Sequence, residues 1–372
     1  MTPTPPENPP APGGQGFLVL AVNPGTGSTK LGLFRGAEVL RSETVAHSTA
    51  DLARFPRVKD QLATRLGDVR AFVAAAVGAG RLSAVVGRGG LLGPVSAGTL
   101  RATPALAEEL LRGERGEHAS NLGVPLALAV AEEQRCPAFT VDPVSVDELD
   151  DAARLTGIAG VERRSFCHAL NIRAVARRHA ARAKKPFESL RAIVVHLGTG
   201  VSLAALRGGR LVDVVNPQDE GPFSGDRAGG MPATALVEMC FAPGAERAAV
   251  RRRLFGDGGL YSHLGTRDVR EALARAKAGD ALAARLLEAM ELQIAKSVGA
   301  LAASLGGEVE AILLTGGMAH LPEVVSPLTR RVQWIAPVVL YPGEDELRAL
   351  AEGALRVLAG EEPARDYGPP ER

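Results

Sequence analysis

The sequence predicts an α/β protein built from two similar domains. Its 372 residues suit two domains at roughly 100–200 residues each. An apolar strand, a glycine-rich turn and a further strand pair occur in that order twice. Helical stretches follow each copy and are long enough to cover a sheet.

Taken in order, residues 1–16 are rich in Pro and Gly and carry no Lys or Arg, so they are expected to form a disordered tail, not a secretory signal. Phe17–Val22 reads as a buried strand and Asn23–Lys30 as a turn. Leu31–Leu40 then reads as two strands about Gly36. The order returns in Ala192–Leu197, Gly198–Ser202 and Leu203–Val212, now about Gly208. Leu31, Arg35 and Gly36 recur as Leu203, Arg207 and Gly208, each 172 residues on. Leu282, Leu286, Met290, Ile294, Val298, Leu301 and Leu305 are spaced by three or four, which predicts one apolar helix stripe in a core. Arg173–Lys185, with Arg177, Arg178, Arg182, Lys184 and Lys185, reads as the solvated face of a helix.

Composition narrows the function. The net charge is +1, which gives no general attraction to nucleic acid or membrane, and no apolar run reaches the ~18 residues of a membrane span. Cys136, Cys167 and Cys240 are few, odd in number and far apart. They fit small buried hydrophobes in a reducing cytoplasm better than a disulfide framework or zinc site.

Three glycine-rich loops follow apolar strands: Asn23–Lys30, His196–Ser202 and Leu314–His320. Glycine lets backbone N–H groups approach an anion, and successive N–H groups form a positive concavity. Each loop alone is a weak sign. The first is no Walker A motif, because Thr29 precedes Lys30 and a strand follows. It is no dinucleotide fingerprint either, because Lys30 stands where the third Gly belongs. Together, with two heading a repeat, they point to a nucleotide held between two domains.

The motifs Asn23-Pro-Gly-Thr-Gly-Ser-Thr-Lys30, Val86-Gly-Arg-Gly-Gly-Leu91, Val141-Asp-Pro-Val-Ser-Val-Asp-Glu148, His196-Leu-Gly-Thr-Gly200, Thr315-Gly-Gly-Met318 and Tyr341-Pro-Gly-Glu-Asp-Glu-Leu347 occur in this order. This series resembles the acetokinase family, in its butyrate kinase branch, from about Phe17 to Glu362. The resemblance implies duplicated ribonuclease-H-like domains, as in actin and the sugar kinases, flanking a nucleotide cleft that closes on substrate. It sets the N-terminal domain at 17–149 plus a returning helix at 347–360, and a nucleotide-binding C-terminal domain at 150–346. It implies a kinase that uses ATP and Mg2+ to convert a short-chain fatty acid, butanoate first among them, to its acyl phosphate and ADP. Acetate, propionate or a branched acid are the alternatives, and a silent ATP-binding regulator is a more distant one. The resemblance also makes a homo-oligomer plausible. Acetate kinases carry a longer FHGTSH-like segment where this chain has Phe166-Cys-His-Ala-Leu-Asn171, and a first loop richer in Ser. Both departures favour the butyrate branch.

A carboxylate is already ionised at pH 7, so the difficulty is electrostatic: one anion attacks another. Arginine suits that need, since its planar fork grips carboxylate or phosphate in two places. Arg88 and Arg227 each sit among small residues, in Gly87-Arg-Gly-Gly90 and Ser224-Gly-Asp-Arg-Ala-Gly-Gly230. By resemblance they bind substrate and the transferring phosphoryl group. The resemblance likewise places His196 near that group, His168 as a second substrate-side histidine, and Asp142 at the reacting centre, orienting magnesium or its water. It has Asn23 contact phosphate or magnesium-bound water, with Ser28 and Lys30 weaker candidates in the same loop. Gly198, Thr199 and Gly200 form the second phosphate loop, and Gly316 and Gly317 pass beneath the adenosine. Asp268 is either an acid near the nucleotide or a helix N-cap. Glu346 resembles a late magnesium-binding glutamate, with Glu344 and Asp345 competing for that role. Asp147 and Glu148 read as acids at a helix start.

Overall fold

The structure is a computed structural model and describes residues 16–78 and 80–370. The expected tail therefore lies outside the described residues, apart from Gly16. The chain divides into two compact units. Among the described residues, one takes the chain from Gly16 to Glu148, then Ala169–Ala174 and residues 345–370; the other takes Leu149–His168 and Val175–Glu344.

In the first unit, β1 (Leu18–Pro24), β2 (Ser28–Arg35), β3 (Glu38–Ala46), β4 (Ala84–Gly87), β5 (Thr99–Arg101) and β6 (Ala138–Val141) form one sheet in the order β3-β2-β1-β4-β6-β5. The first three strands pair antiparallel, β4 joins β1 and β6 joins β4 in parallel, and β5 adds an antiparallel edge. In the second unit, β7 (Ala192–Leu197), β8 (Val201–Arg207), β9 (Arg210–Val215), β10 (Ala311–Gly316) and β11 (Val338–Pro342) run in the order β11-β10-β7-β8-β9. Again the first three are antiparallel and the last two parallel. Both sheets thus begin third, second, first, fourth; the second sheet continues with its fifth strand, whereas the first continues with its sixth and adds its fifth at the edge.

The repeat extends to a defect. A register shift falls between Leu33 and Phe34 in β2, and another between Ala205 and Leu206 in β8. These pairs are 172 residues apart, the offset that relates the sequence copies. The turns that follow put Gly36 at φ +56° and Gly208 at φ +62°, a left-handed conformation that glycine adopts without steric cost.

Strand alternation decides which side chains face which helices. In the first unit Leu20 and Val22 pack with Val69, Phe72, Leu126 and Val130 of the helices Leu62–Val77 and Gly123–Gln134. Val19, Ala21 and Val86 pack on the opposite face with Leu350, Ala354 and Leu355 of the helix Glu346–Leu358. Each large aliphatic side chain buried this way contributes roughly 1.5–3 kcal/mol. In the second unit Ile193, Val195 and Leu197 face the long helix Ala281–Ser304, against Leu286, Met290, Ile294, Val298 and Leu301. His196, between them, points to the other face.

Several expectations change. The first two glycine-rich turns are shorter than their sequence suggests, because pairing continues into them: Asn23 pairs with Lys30 and Pro24 with Thr29, and Leu197 pairs with Val201. Leu282 leaves the buried stripe and is 41% exposed, lying in the first helical turn capped by Asp280. Asp147 and Glu148 start no helix; Asp147 is buried in a loop, and Glu148 accepts a hydrogen bond from the Ala97 N–H at 3.0 Å. Cys240 is exposed, and burial lifts the Cys136 thiol to about 11. Arg182, Lys184 and Lys185 are solvated as expected. Arg177 instead stacks 4.2 Å over the Phe187 ring, and Arg173 is buried. Among the described residues no helix is long and apolar enough to cross a membrane.

Candidate active site

In the first unit the candidate residues meet at the ends of β1, β4 and β6. Alternation puts Asn23 on the face covered by the helix Glu346–Leu358. Its Nδ2 donates to Glu346 Oε2 at 2.6 Å, and the other oxygen of that carboxylate pairs with Arg88 Nη1. Asn23, Arg88 and Glu346 therefore form one cluster, although 323 positions separate the first from the last. The Arg88 side chain is only 11% exposed. Its Nε is buried and donates to no acceptor in the described protein. A buried charged donor left this way is costly unless an acceptor arrives.

Glycine is what allows Arg88 to sit there. A Cβ on Gly87 would lie 2.0 Å from the Gly123 carbonyl oxygen, one on Gly123 2.2 Å from the Arg88 carbonyl oxygen, and one on Gly90 2.5 Å from Asn121 Oδ1. Asn121 also accepts from the Leu91 N–H at 2.9 Å. Gly123→Ala is expected to cost about 1–3 kcal/mol or more, since backbone must move to admit the methyl group. Denaturant unfolding checks this; an unchanged midpoint would show that the contact yields freely.

Asp142 follows β6 with φ +38°, uncommon for a residue with a side chain. Its Oδ1 accepts from the Gly98 N–H at 2.7 Å and lies 3.0 Å from Arg173 Nε. Both partners of this ion pair are almost fully buried. The carboxylate expected to orient magnesium is thus held from two sides through one oxygen. Ser28 is half-buried and Lys30 is exposed on β2, so the alternation that buries Thr29 and Leu31 turns the Lys30 ammonium outward.

The second unit holds the other cluster. His196, at the end of β7, is 1% exposed. Its Nε2 lies 3.1 Å from Glu344 Oε1, and its ring stacks on His168 with centroids 3.8 Å apart. His168 Nδ1 is 2.8 Å from the Ser202 hydroxyl on β8. The three competing acids are thereby sorted: Glu344 pairs with His196, Asp345 with Arg348 at 2.8 Å, and Glu346 with Asn23 and Arg88.

The loop after β7 is built for close approach. A Cβ on Gly198 would fall 2.6 Å from His196 Nε2, and one on Gly200 would overlap the Arg227 guanidinium at 2.0 Å from Nη1. Arg227 therefore lies directly against Gly200, while Thr199 between them is exposed. Asp226 Oδ1 is 3.9 Å from Arg227 Nε, buried, and accepts no hydrogen bond. Burial pushes the Asp226 carboxyl above its ordinary range against the opposing pull of Arg227. Gly316 has φ +90°, and a Cβ there would meet the Leu197 carbonyl oxygen at 2.5 Å; beside Gly317 the space is open. Asp268 takes the cap role. Its Oδ1 accepts from the Arg270 N–H at 2.8 Å, opening the helix Val269–Lys277, and its carboxylate pairs with the Arg270 side chain.

Comparison with known proteins decides the family. The acetokinase family model matches residues 155–331. The chain is 44% identical over 353 residues to a protein of Clostridium botulinum (strain Alaska E43) described as "Probable butyrate kinase", covering 94% of this chain and 99% of that one. It is 44% identical over 355 residues to one so described from Coprothermobacter proteolyticus, covering 95% and 100%. The chain belongs to the acetokinase family. Its class of activity is phosphoryl transfer involving a carboxyl group. Acetate kinase of Porphyromonas gingivalis shares the fold at a TM-score of 0.74 and 20% identity, over 92% of this chain and 100% of that one. The two sheets described above are the duplicated ribonuclease-H-like fold of the acetokinases.

Two contributors went unread in the sequence. Arg173 lay in an Arg-rich stretch with nothing to mark it as the partner of Asp142. Asp226 was passed over beside Arg227, although a carboxylate next to an arginine among glycines was a usable sign. Among the described residues no three His, Cys, Asp or Glu side chains converge as a metal cage. Magnesium does not require one, since one or two carboxylates plus phosphate oxygens and water suffice. The hard oxygen donors of Asn23 and Glu346, adjacent in the structure, fit that demand.

Proposed function

We propose that the protein transfers the γ-phosphoryl group of ATP to the carboxylate of a short-chain fatty acid, with butanoate preferred and butanoyl phosphate and ADP as products. We assign it to the cytoplasm, as a homo-oligomer that uses magnesium. The near-full-length identity to proteins described as butyrate kinases carries this reading. The buried, unsatisfied Nε of Arg88 supports it, as a donor suited to an incoming anion.

The acid arrives ionised and needs no strong base. Arg88 would take the substrate carboxylate through its free edge while Glu346, itself held by Asn23, keeps the rest of the guanidinium in place. Arg227, lying on Gly200, would meet the phosphoryl group as charge spreads over its oxygens. His196, oriented by Glu344 and stacked on His168, would donate to the same group, with His168 flanking the substrate. The N–H groups of Gly198, Thr199 and Gly200 would cradle phosphate, and Asn23, Ser28 and Lys30 would serve the first loop. Gly316 and Gly317 would admit the adenosine, with Asp268 at the margin of that site. Asn23 and Glu346 would hold magnesium, with Asp142 orienting its water, and the ion when bound would supply neutralisation of phosphate charge.

Rates of acid-dependent ADP release over a series from acetate to pentanoate test the acyl preference. One methylene in an apolar pocket is worth about 1–3 kcal/mol, so butanoate should exceed acetate in kcat/KM by about 10-fold or more. Equal or better turnover of acetate would sink the butanoate assignment.

A further inference from the structure

Arg65, in the helix Leu62–Val77, is the largest fully buried side chain among the described residues, 1% exposed. Its Nε and Nη2 donate to Gln61 Oε1 at 3.1 and 2.9 Å. Its Nη1 donates to the Ser28 carbonyl at 3.1 Å and the Thr29 hydroxyl at 3.0 Å, and Nη2 to the Thr26 carbonyl at 3.4 Å. Every one of these acceptors is a neutral oxygen. A guanidinium stays charged even when buried; Asp68 attracts it through space but accepts none of its hydrogen bonds, and burial outweighs that attraction, which is unfavourable if packing is its only task.

Apart from Gln61, the N-cap of its own helix, its acceptors all belong to the first glycine-rich turn. A trans peptide carries its C=O and N–H on opposite edges. Turning the Thr26 carbonyl toward Arg65 therefore turns the Gly27 N–H away from it. Gly27 is exposed, and a Cβ there would meet no atom within 4 Å, so the outer side of the turn is open to a ligand. The Thr29 hydroxyl is fixed from a second direction by His47 Nε2 at 2.9 Å.

We infer that Arg65 is a positioning residue for nucleotide phosphate: it fixes the Thr26–Gly27 peptide so that the Gly27 N–H faces outward, and its buried charge lies behind that turn. This rests on the proposed reading of that turn as a phosphate loop. Calorimetric titration of ADP with magnesium into the parent protein, Arg65→Gln and Arg65→Lys tests it, with KM for ATP and for butanoate measured beside it. Arg65→Gln should weaken ADP binding by about 10–100-fold, the worth of a hydrogen bond to a charged group, and Arg65→Lys should recover part of that loss. KM for ATP should rise while KM for butanoate stays within about twofold, since loosening of the whole unit would raise both. A parent that binds ADP and an Arg65→Gln variant that binds it equally well would overturn the inference alone. A parent that binds no ADP would overturn the phosphate reading with it. If Arg65→Gln does not fold, Thr29→Val carries the test, because it keeps the guanidinium and removes one acceptor. An ADP affinity for Thr29→Val matching the parent's would then overturn the proposal.

Discussion

Arg88→Ala should lower kcat/KM by about 10²–10³-fold, the scale of removing one preorganised donor from developing charge. The guanidinium is buried, held on one edge by Glu346, and has a donor that no protein group takes up. Its removal should leave the fold intact. Glu346 keeps Asn23 as a donor, and the loop backbone is fixed independently by Gly87, Gly123 and Asn121. The thermal midpoint should therefore move by no more than about 2–4 °C, the equivalent of about 1 kcal/mol at this size. Arg88→Lys should recover only part of the rate, because the charge returns without the planar fork. Near-normal kcat/KM in Arg88→Ala would remove this residue from the mechanism.

Arg227→Ala should have an effect of the same order, about 10²–10³-fold in kcat/KM. Arg227 lies directly against Gly200 in the loop expected to cradle phosphate, so on the proposed reading its charge would stand beside the transferring group. It has one nearby counter-charge, Asp226, which makes no hydrogen bond to it. Most of its electrostatic effect is therefore available to a ligand. The loss should fall mainly on kcat, since a residue matched to the transition state contributes less to ground-state affinity. Steady-state kinetics with ATP and butanoate varied in turn check this. A rise in KM alone, with kcat unchanged, would recast Arg227 as a binding residue.

Much of the fold was legible because its signals are local. The apolar runs of β7 and β8, the turns at Gly36 and Gly208 and the spacing of Leu286 to Leu301 are each fixed within a few residues. The offset of 172 proved to relate the strands and also the register shifts at Leu33 and Ala205. The candidate site was legible as residue types and not as contacts. Arg88 and Glu346 could each be named from their motifs, but their pairing depends on the last helix returning to the first sheet. Arg173 was hidden because an arginine that ends buried against a carboxylate looks, in sequence, like its solvated neighbours. Arg65 was hidden for the same reason, as its acceptors are backbone oxygens and neutral side chains with no sequence signature. Lys30 shows the converse. Its place in a glycine-rich stretch reads as part of the turn, whereas strand pairing puts it on β2 with an exposed side chain.

Phosphoryl transfer to a short-chain carboxylate is tested most directly by trapping the product as a hydroxamate after incubation with ATP, magnesium and either butanoate or acetate. A strong signal is expected with butanoate and little with acetate. No acyl phosphate from any short-chain acid, in a protein shown to bind ATP, would contradict it.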